Sequence, residues 1–369
     1  MELGNGMRNR LRIKPLDRQV MVITGATSGI GLSTARAAAA RGVRLVLAAR
    51  NEEALASVRE DLTAKGAQVA VVVADVGDEA QVRSIAQAAV DAFGGFDTWV
   101  NNAGVSIVGA LADTPTADQR RLFETNYWGV VYGSLVAVEH FRAREGGGVL
   151  INIGSTLGDL ALPLQGASAA SKAAVASFTK ALRMELMAEN APVSVTLVKP
   201  STVDTPYKDH ARKLAEASEK KSPPVYAAPL IAEAILYAAR HKVRELTVGT
   251  TGGLLGALNA VAPSAAEPLM AWAAPKPGEG GPKSSSGDNL HHAGKDLRER
   301  AFHEGVRSSS LYSTAQMRPK TTMALALVAG LAAGAAIFGL SQAEGRETNP
   351  EASPAPKGRQ PWVSRLRKR

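Results

Sequence analysis

The sequence predicts a doubly wound α/β fold, a single domain built on a parallel sheet with helices on both faces. Three observations predict it. Short β-branched runs are apolar nearly throughout, Ala-rich stretches with helical spacing separate them, and a glycine-rich turn joins the first run to the first stretch.

The first run, VMVITGA (20–26), ends in polar and small residues and reads as a buried strand, followed by the helical GIGLSTARAAAARG (29–42). The alternation then repeats: RLVLAAR (44–50) and NEEALASVREDLTAKG (51–66), QVAVVVADV (68–76) and DEAQVRSIAQAAVDAFG (78–94). DTWVNNAG (97–104) leads to a long helical pattern over 116–146, and GVLINIGS (148–155) and VSVTLVKP (193–200) follow as strands. A last helix, AAPLIAEAILYAARH (227–241), precedes the strand ELTVGT (245–250), so a Rossmann-type domain over 17–260 is expected. Right-handed crossovers would put the ligand crevice beyond the carboxyl ends of these strands.

Beyond 260 the composition changes. PKPGEGGPKSSSGDN (275–289) has the makeup of a linker, within an expected linker and polar extension over 261–322. MALALVAGLAAGAAIFGL (323–340) carries no charge. Eighteen residues rise about 27 Å as a helix, near the ~30 Å hydrocarbon core, which favours a transmembrane span over a buried helix. Gly330 and Gly334 form a G-x-x-x-G pair, which leaves a homo-oligomer open. The large domain is expected on the cytoplasmic side of that membrane.

The net charge of +9 is concentrated in an N-terminal arm over 1–16 (Arg8, Arg10, Arg12, Lys14) and a tail over 341–369 (Lys357, Arg359, Arg365, Arg367, Lys368, Arg369). Solvated tails explain such runs at least as well as a dedicated polyanion site, and no zinc finger, RNP motif or helix-turn-helix points to nucleic acid. Cysteine is absent, which excludes disulfides and thiol catalysis, and no metal site is read.

The strongest local signal is TGATSGIG (24–31). Gly25 permits a tight turn, Gly29 and Gly31 let backbone approach a pyrophosphate, and the helix N-terminus offers unpaired N–H groups. Thr24, Ser28 and Ile30 complete the expected cofactor-binding turn. At the end of the second strand Arg50 follows Ala49 with no carboxylate, an arrangement that suits a 2′-phosphate and favours NADP over NAD. Asp75 could accept from the adenine amino group or cap the next helix.

With these motifs in order, the chain over roughly 17–250 resembles the classical short-chain dehydrogenase/reductases. The residues that carry the resemblance are the TGATSGIG turn, NNAG (101–104), NYWG from Asn126, NIGS ending at Ser155, and ASK around Lys172. The resemblance implies that Asn101 supports the sheet, that Asn102, Ala103 and Gly104 border the cofactor, and that Asn126, Ser155 and Lys172 belong to a catalytic tetrad. Pro200 and Thr205 match a later cofactor-contacting motif in which Ser201 replaces a glycine.

The tetrad's tyrosine falls, counted from Ser155 or from Lys172, on Ser168. An aliphatic hydroxyl is shorter than a phenol and ionises far above the phenol's ~10, so it is a poor proton donor. None of Tyr127, Tyr132, Tyr207, Tyr226, Tyr237 and Tyr312 has a lysine four places on. The expected function is therefore an NADP-preferring oxidoreductase, acting on a small carbonyl or alcohol with reduced activity. The alternative is a nucleotide-binding or regulatory protein without turnover.

Overall fold

The computed structural model describes residues 10–214, 224–273, 288–294, 297–301, 304–318 and 321–323. Seven parallel strands form one sheet: β1 (Val20–Thr24), β2 (Arg44–Ala49), β3 (Val69–Val73), β4 (Thr98–Asn101), β5 (Gly148–Ile153), β6 (Val193–Pro200) and β7 (Glu245–Val248). Their spatial order is β7-β6-β5-β4-β1-β2-β3. The order reverses between β1 and β4, which pair in parallel through Met21–Thr98, Val22–Trp99 and Ile23–Val100. A doubly wound sheet opens its ligand crevice at that reversal.

Alternation along the strands fills both faces. Met21 and Ile23 point into a cluster with Leu32, Leu45, Leu47, Leu55 and Ile235. Val20 and Val22 point the other way, into a cluster with Val46, Ile85, Trp99, Phe141 and Leu186. The first face is covered by α1 (Gly29–Ala39), α2 (Glu52–Ala64) and α7 (Ala228–Ala238), the second by α3 (Glu79–Phe93), α5 (Gly129–Ala143) and α6 (Gly166–Ala188). Each fully buried Leu or Ile contributes about 1.5–3 kcal/mol of burial, so this two-sided core supplies the rigidity that the loops above it need.

The predicted helix over 116–146 is broken in its middle. It consists of α4 (Thr116–Phe123), a π-helical turn over Glu124–Trp128, and α5. That widened turn carries Asn126, and π-bulges recur at functional positions. Asp75 does not cap the helix after β3; Asp78 does, accepting from Ala80 N at 2.9 Å and Gln81 N at 3.2 Å.

The globular unit runs past residue 260, to Met317. Helices α8 (Thr250–Val261) and α9 (Pro263–Ala273) follow β7, and the described residues between 288 and 317 lie on the sheet domain. Leu290 is fully buried there among Val105, Ile107 and Leu122. Helix α10 (Leu311–Met317) covers the β7 edge, where Gln316 Nε2 donates to Thr247 O at 2.9 Å and Ser313 Oγ accepts from Gly249 N at 3.2 Å. One apolar anchor and a few side chains that satisfy edge backbone groups hold this polar stretch, a pattern that composition does not reveal. Almost all of the expected membrane span over 323–340 lies outside the described residues. Among the described residues no helix is long and apolar enough to cross a membrane.

Asp97 clamps the amino ends of β1 and β4. Its carboxylate accepts from Val20 N at 2.8 Å and meets Lys14 and Arg144 at 2.7 Å each. Burial pushes its pKa up, but the Lys14 hydrogen bond, the Val20 amide and the two cations outweigh this and hold the carboxyl below its usual value. A depressed folded pKa means that the stabilisation is present at neutral pH and is lost as pH falls through the folded value. Asp97→Asn should lower unfolding free energy at pH 7 by about 1–3 kcal/mol. In urea titrations across pH, variant and parent should converge below about pH 4, the ordinary carboxylate range; a gap independent of pH would contradict the clamp.

Candidate active site

The carboxyl ends of β1 and β4 are pinned to each other. Thr24 Oγ1 accepts from Asn102 N at 3.0 Å and Ala103 N at 3.1 Å, while Asn102 Nδ2 donates to Thr24 O at 2.9 Å and Gly25 O at 3.1 Å. A Cβ on Gly25 would lie 2.7 Å from Ala103 Cα, on a backbone with φ of +65°. One on Gly31 would lie 2.1 Å from Gly25 O. The turn is thus a cradle that side chains would fill, and α1 starts directly beyond Ser28, whose side chain makes no capping bond. Ile30 packs on the core beneath it. Thr205, after β6 and Pro200, covers Gly29: a Cβ there would come 3.1 Å from its Cβ. Asn101 points away from the cleft, holding Trp99 Nε1 at 2.7 Å and Asn152 Oδ1 at 2.9 Å inside the domain.

Gly104 forms the floor of the inner end. A Cβ at Gly104 would meet Asn126 Oδ1 at 3.4 Å and Lys172 Nζ at 3.9 Å, so amide and amine face one point. Asn126 is fully buried and fixed on both sides, accepting from Val105 N at 2.8 Å and donating to Val105 O and Ser171 Oγ at 3.0 Å each. Lys172 stands on α6, one turn after Ser168, and donates to Ile153 O at 3.0 Å. Burial pushes its ammonium down to about 8. Ser155 Oγ accepts from Leu157 N at 3.1 Å, starting the tight turn Thr156–Gly158. Among the described residues its own O–H donates to no partner. A Cβ on Gly158 would lie 2.8 Å from Lys172 O, so only glycine lets this turn pack onto α6 beside the lysine.

Ser168 is buried with its hydroxyl turned to the loop after β4. Its Oγ lies 3.3 Å from Ser106 Oγ and 3.4 Å from Ile107 N. It is therefore used up in holding α6 against that loop.

Spacing along the chain does not find the phenol that reaches this site. Tyr207, two residues past Thr205, donates from Oη to Val105 O at 2.8 Å, with the Ser106 and Asn126 side chains in hydrogen-bonding range. Burial of its hydroxyl pushes the phenol up to about 12, against those two hydrogen bonds. The segment carrying it is stitched down, since Arg212 N donates to Ser106 O at 3.0 Å and Leu214 N to Val108 O at 2.8 Å.

The outer end of the cleft is covered by the chain itself. Arg50 donates to the backbone carbonyls of Asn289, Leu290 (3.3 Å) and His292 (3.0 Å), and Asn51 Nδ2 to Gly294 O at 3.0 Å. Gly29 N donates to Arg298 O at 3.0 Å. Asp75 accepts from Gly77 N at 2.9 Å and pairs with Arg121, whose Nε donates to Leu290 O at 3.2 Å. Neither Arg121 nor this strap carries a motif that a sequence scan would single out.

The family profile of short chain dehydrogenases matches residues 19–215. The chain belongs to the short chain dehydrogenase family. The uncharacterised oxidoreductase YxnA of Bacillus subtilis (strain 168) is 43% identical over 338 residues, covering 89% of this chain and 93% of that protein. A short chain dehydrogenase/reductase from Burkholderia phymatum, solved in complex with NAD, is 30% identical with a TM-score of 0.62, covering 67% of this chain and 94% of its own. An alcohol dehydrogenase from the archaeon Thermococcus sibiricus, complexed with 5-hydroxy-NADP, shares the fold at 24% identity and a TM-score of 0.56, covering 63% of this chain and 97% of its own. This short chain dehydrogenase has the family's Rossmann-type sheet and nucleotide cradle, with its inner wall assembled around Lys172, Asn126 and Ser155.

Proposed function

We propose that the chain is an NADP-preferring oxidoreductase that interconverts a small carbonyl compound and its alcohol. One observation carries the reading: the Lys172 amine and the Asn126 amide face the same point above Gly104, at the inner end of the glycine cradle. A reduced nicotinamide supplies a hydride when bound. The cradle fits a dinucleotide because Gly25 and Gly31 leave no room for side chains where a pyrophosphate must approach backbone. Lys172 would hold the ribose, Thr205 would lie against the carboxamide, and the Ser155 hydroxyl, with its proton uncommitted, would donate to the substrate oxygen. Arg50 and Arg121 flank the outer end with no carboxylate from the β2 terminus to repel a 2′-phosphate. The carbonyls that Arg50 holds occupy the place such oxygens would take.

The second reading, a nucleotide-binding protein without turnover, is favoured by Ser168, whose hydroxyl, among the described residues, reaches only Ser106 and Ile107 N. Two measurements on the full chain separate the readings. NADPH affinity should exceed NADH affinity by about 10- to 100-fold, the worth of a charged hydrogen bond, and Arg50→Ala should abolish the difference. NADPH oxidation with a panel of aldehydes and ketones should then show turnover. Equal affinities unmoved by Arg50→Ala contradict the NADP preference, and tight NADPH binding with no carbonyl reduced supports the second reading.

A further inference from the structure

We propose that Tyr207, reaching in from the segment after β6, is the proton donor to the substrate oxygen in place of the tyrosine that α6 lacks at Ser168. The inference rests on the oxidoreductase reading. Among the described residues it is the tyrosine placed at the inner end of the cleft, with its hydroxyl on Val105 O, the same carbonyl that Asn126 Nδ2 engages. Ser106 links the two positions, because its hydroxyl lies 3.3 Å from Ser168 Oγ and stands beside the phenol of Tyr207. The short serine side chain on α6 and the phenol from the facing segment therefore share one small polar cluster.

Three features suit the phenol to this task. Like any phenol it is protonated at physiological pH and so has a proton to give, and the Ser106 and Asn126 hydrogen bonds work against the burial that pushes its pKa up. Its position is fixed by Thr205 packed over Gly29 before it and by the Arg212–Ser106 backbone bond after it. The residue as a whole is 37% exposed although its hydroxyl is enclosed, so solvent can reach the ring edge. In the reduction, the substrate carbon gains the hydride of the reduced nicotinamide and the C=O π pair moves to oxygen. That oxygen takes the Tyr207 proton, giving the alcohol, and the phenolate recovers a proton from water.

The test is Tyr207→Phe, assayed with a carbonyl that the parent reduces and alongside NADPH binding. Loss of a positioned acid should lower kcat by about 10²- to 10⁴-fold while NADPH affinity stays within about threefold. Adding Ser168→Tyr to Tyr207→Phe should restore at least about tenfold of the rate, a rescue that a merely structural tyrosine would not show. A kcat within about threefold of the parent, or a loss that Ser168→Tyr does not recover, would overturn the proposal. A parent that binds NADPH and reduces no carbonyl would instead sink the oxidoreductase reading, and this role with it.

Independently, we infer that the strap over 288–294 and 297–301 competes with the dinucleotide for its site. Its carbonyls take the Gly29 amide and the Arg50 guanidinium, donors that a pyrophosphate and a 2′-phosphate need. Besides the backbone bonds to Arg50, Asn51, Arg121 and Gly29, its described residues are held by one buried side chain, Leu290, by the half-buried ion pair Arg212–Asp288 at 3.0 Å and by the exposed pair Arg298–Asp209 at 3.4 Å. In the full-length chain, Leu290→Asp should loosen the strap and tighten NADPH binding by about tenfold, and Asp288→Ala should act in the same direction by a smaller factor. Unchanged or weaker NADPH binding in both variants would overturn the competition.

Discussion

The contact of Gly25 with Ala103 is the constraint on which the rest depends. It brings the ends of β1 and β4 within van der Waals reach at the point where the strand order reverses, and the Thr24 and Asn102 hydrogen bonds lock it there. A larger residue at position 25 would push the two loops apart, since its Cβ alone would sit 2.7 Å from backbone. With that contact in place, Gly31 and Asn102 stand beside Gly25 at the ends of the two strands. The two-sided core beneath, from Ile23 and Leu47 on one face to Val22 and Trp99 on the other, keeps the strand ends from shifting.

At the inner end of the cleft, α6 meets the loop after β4 through Ser168. Ser168 satisfies its hydroxyl locally, on Ser106 and Ile107 N, and so closes rather than opens the gap between α6 and the loop after β4. The segment after β6 then approaches the same loop from the other side, through Arg212, Leu214 and the Tyr207 hydroxyl. Lys172 keeps its place because Gly158 lets the Ser155 turn sit on the lysine's own carbonyl. The lysine and the asparagine are held by backbone partners, Ile153 O and both polar groups of Val105, so their positions do not depend on the residue at 168.

Elements with a strong period are legible in the sequence itself. All seven sheet strands fall within the runs rich in β-branched residues, and the glycine turn sits on its strand-turn-helix. Gly25, Gly31, Asn102 and Gly104 gather at the carboxyl ends of β1 and β4. Contacts between segments distant in sequence are not legible. Tyr207 escapes a spacing rule that asks for a lysine four places on, because such a rule sees only residues on the same helix. The strap reads only as a polar extension because one buried leucine and a row of backbone carbonyls leave almost no compositional trace. The π turn at Asn126 is hidden inside a helical pattern whose period it interrupts by a single residue.

The proposed nucleotide site is the cleft between the β1 and β4 ends, beneath the strap. Backbone hydrogen exchange of the full-length chain with and without NADPH tests it most directly, because amides of the cradle and strap report separately. Slower exchange at 25–31 and 102–105 is expected on NADPH addition, with faster exchange at 288–294. Exchange unaltered in the cradle, or slowed in the strap, would contradict it.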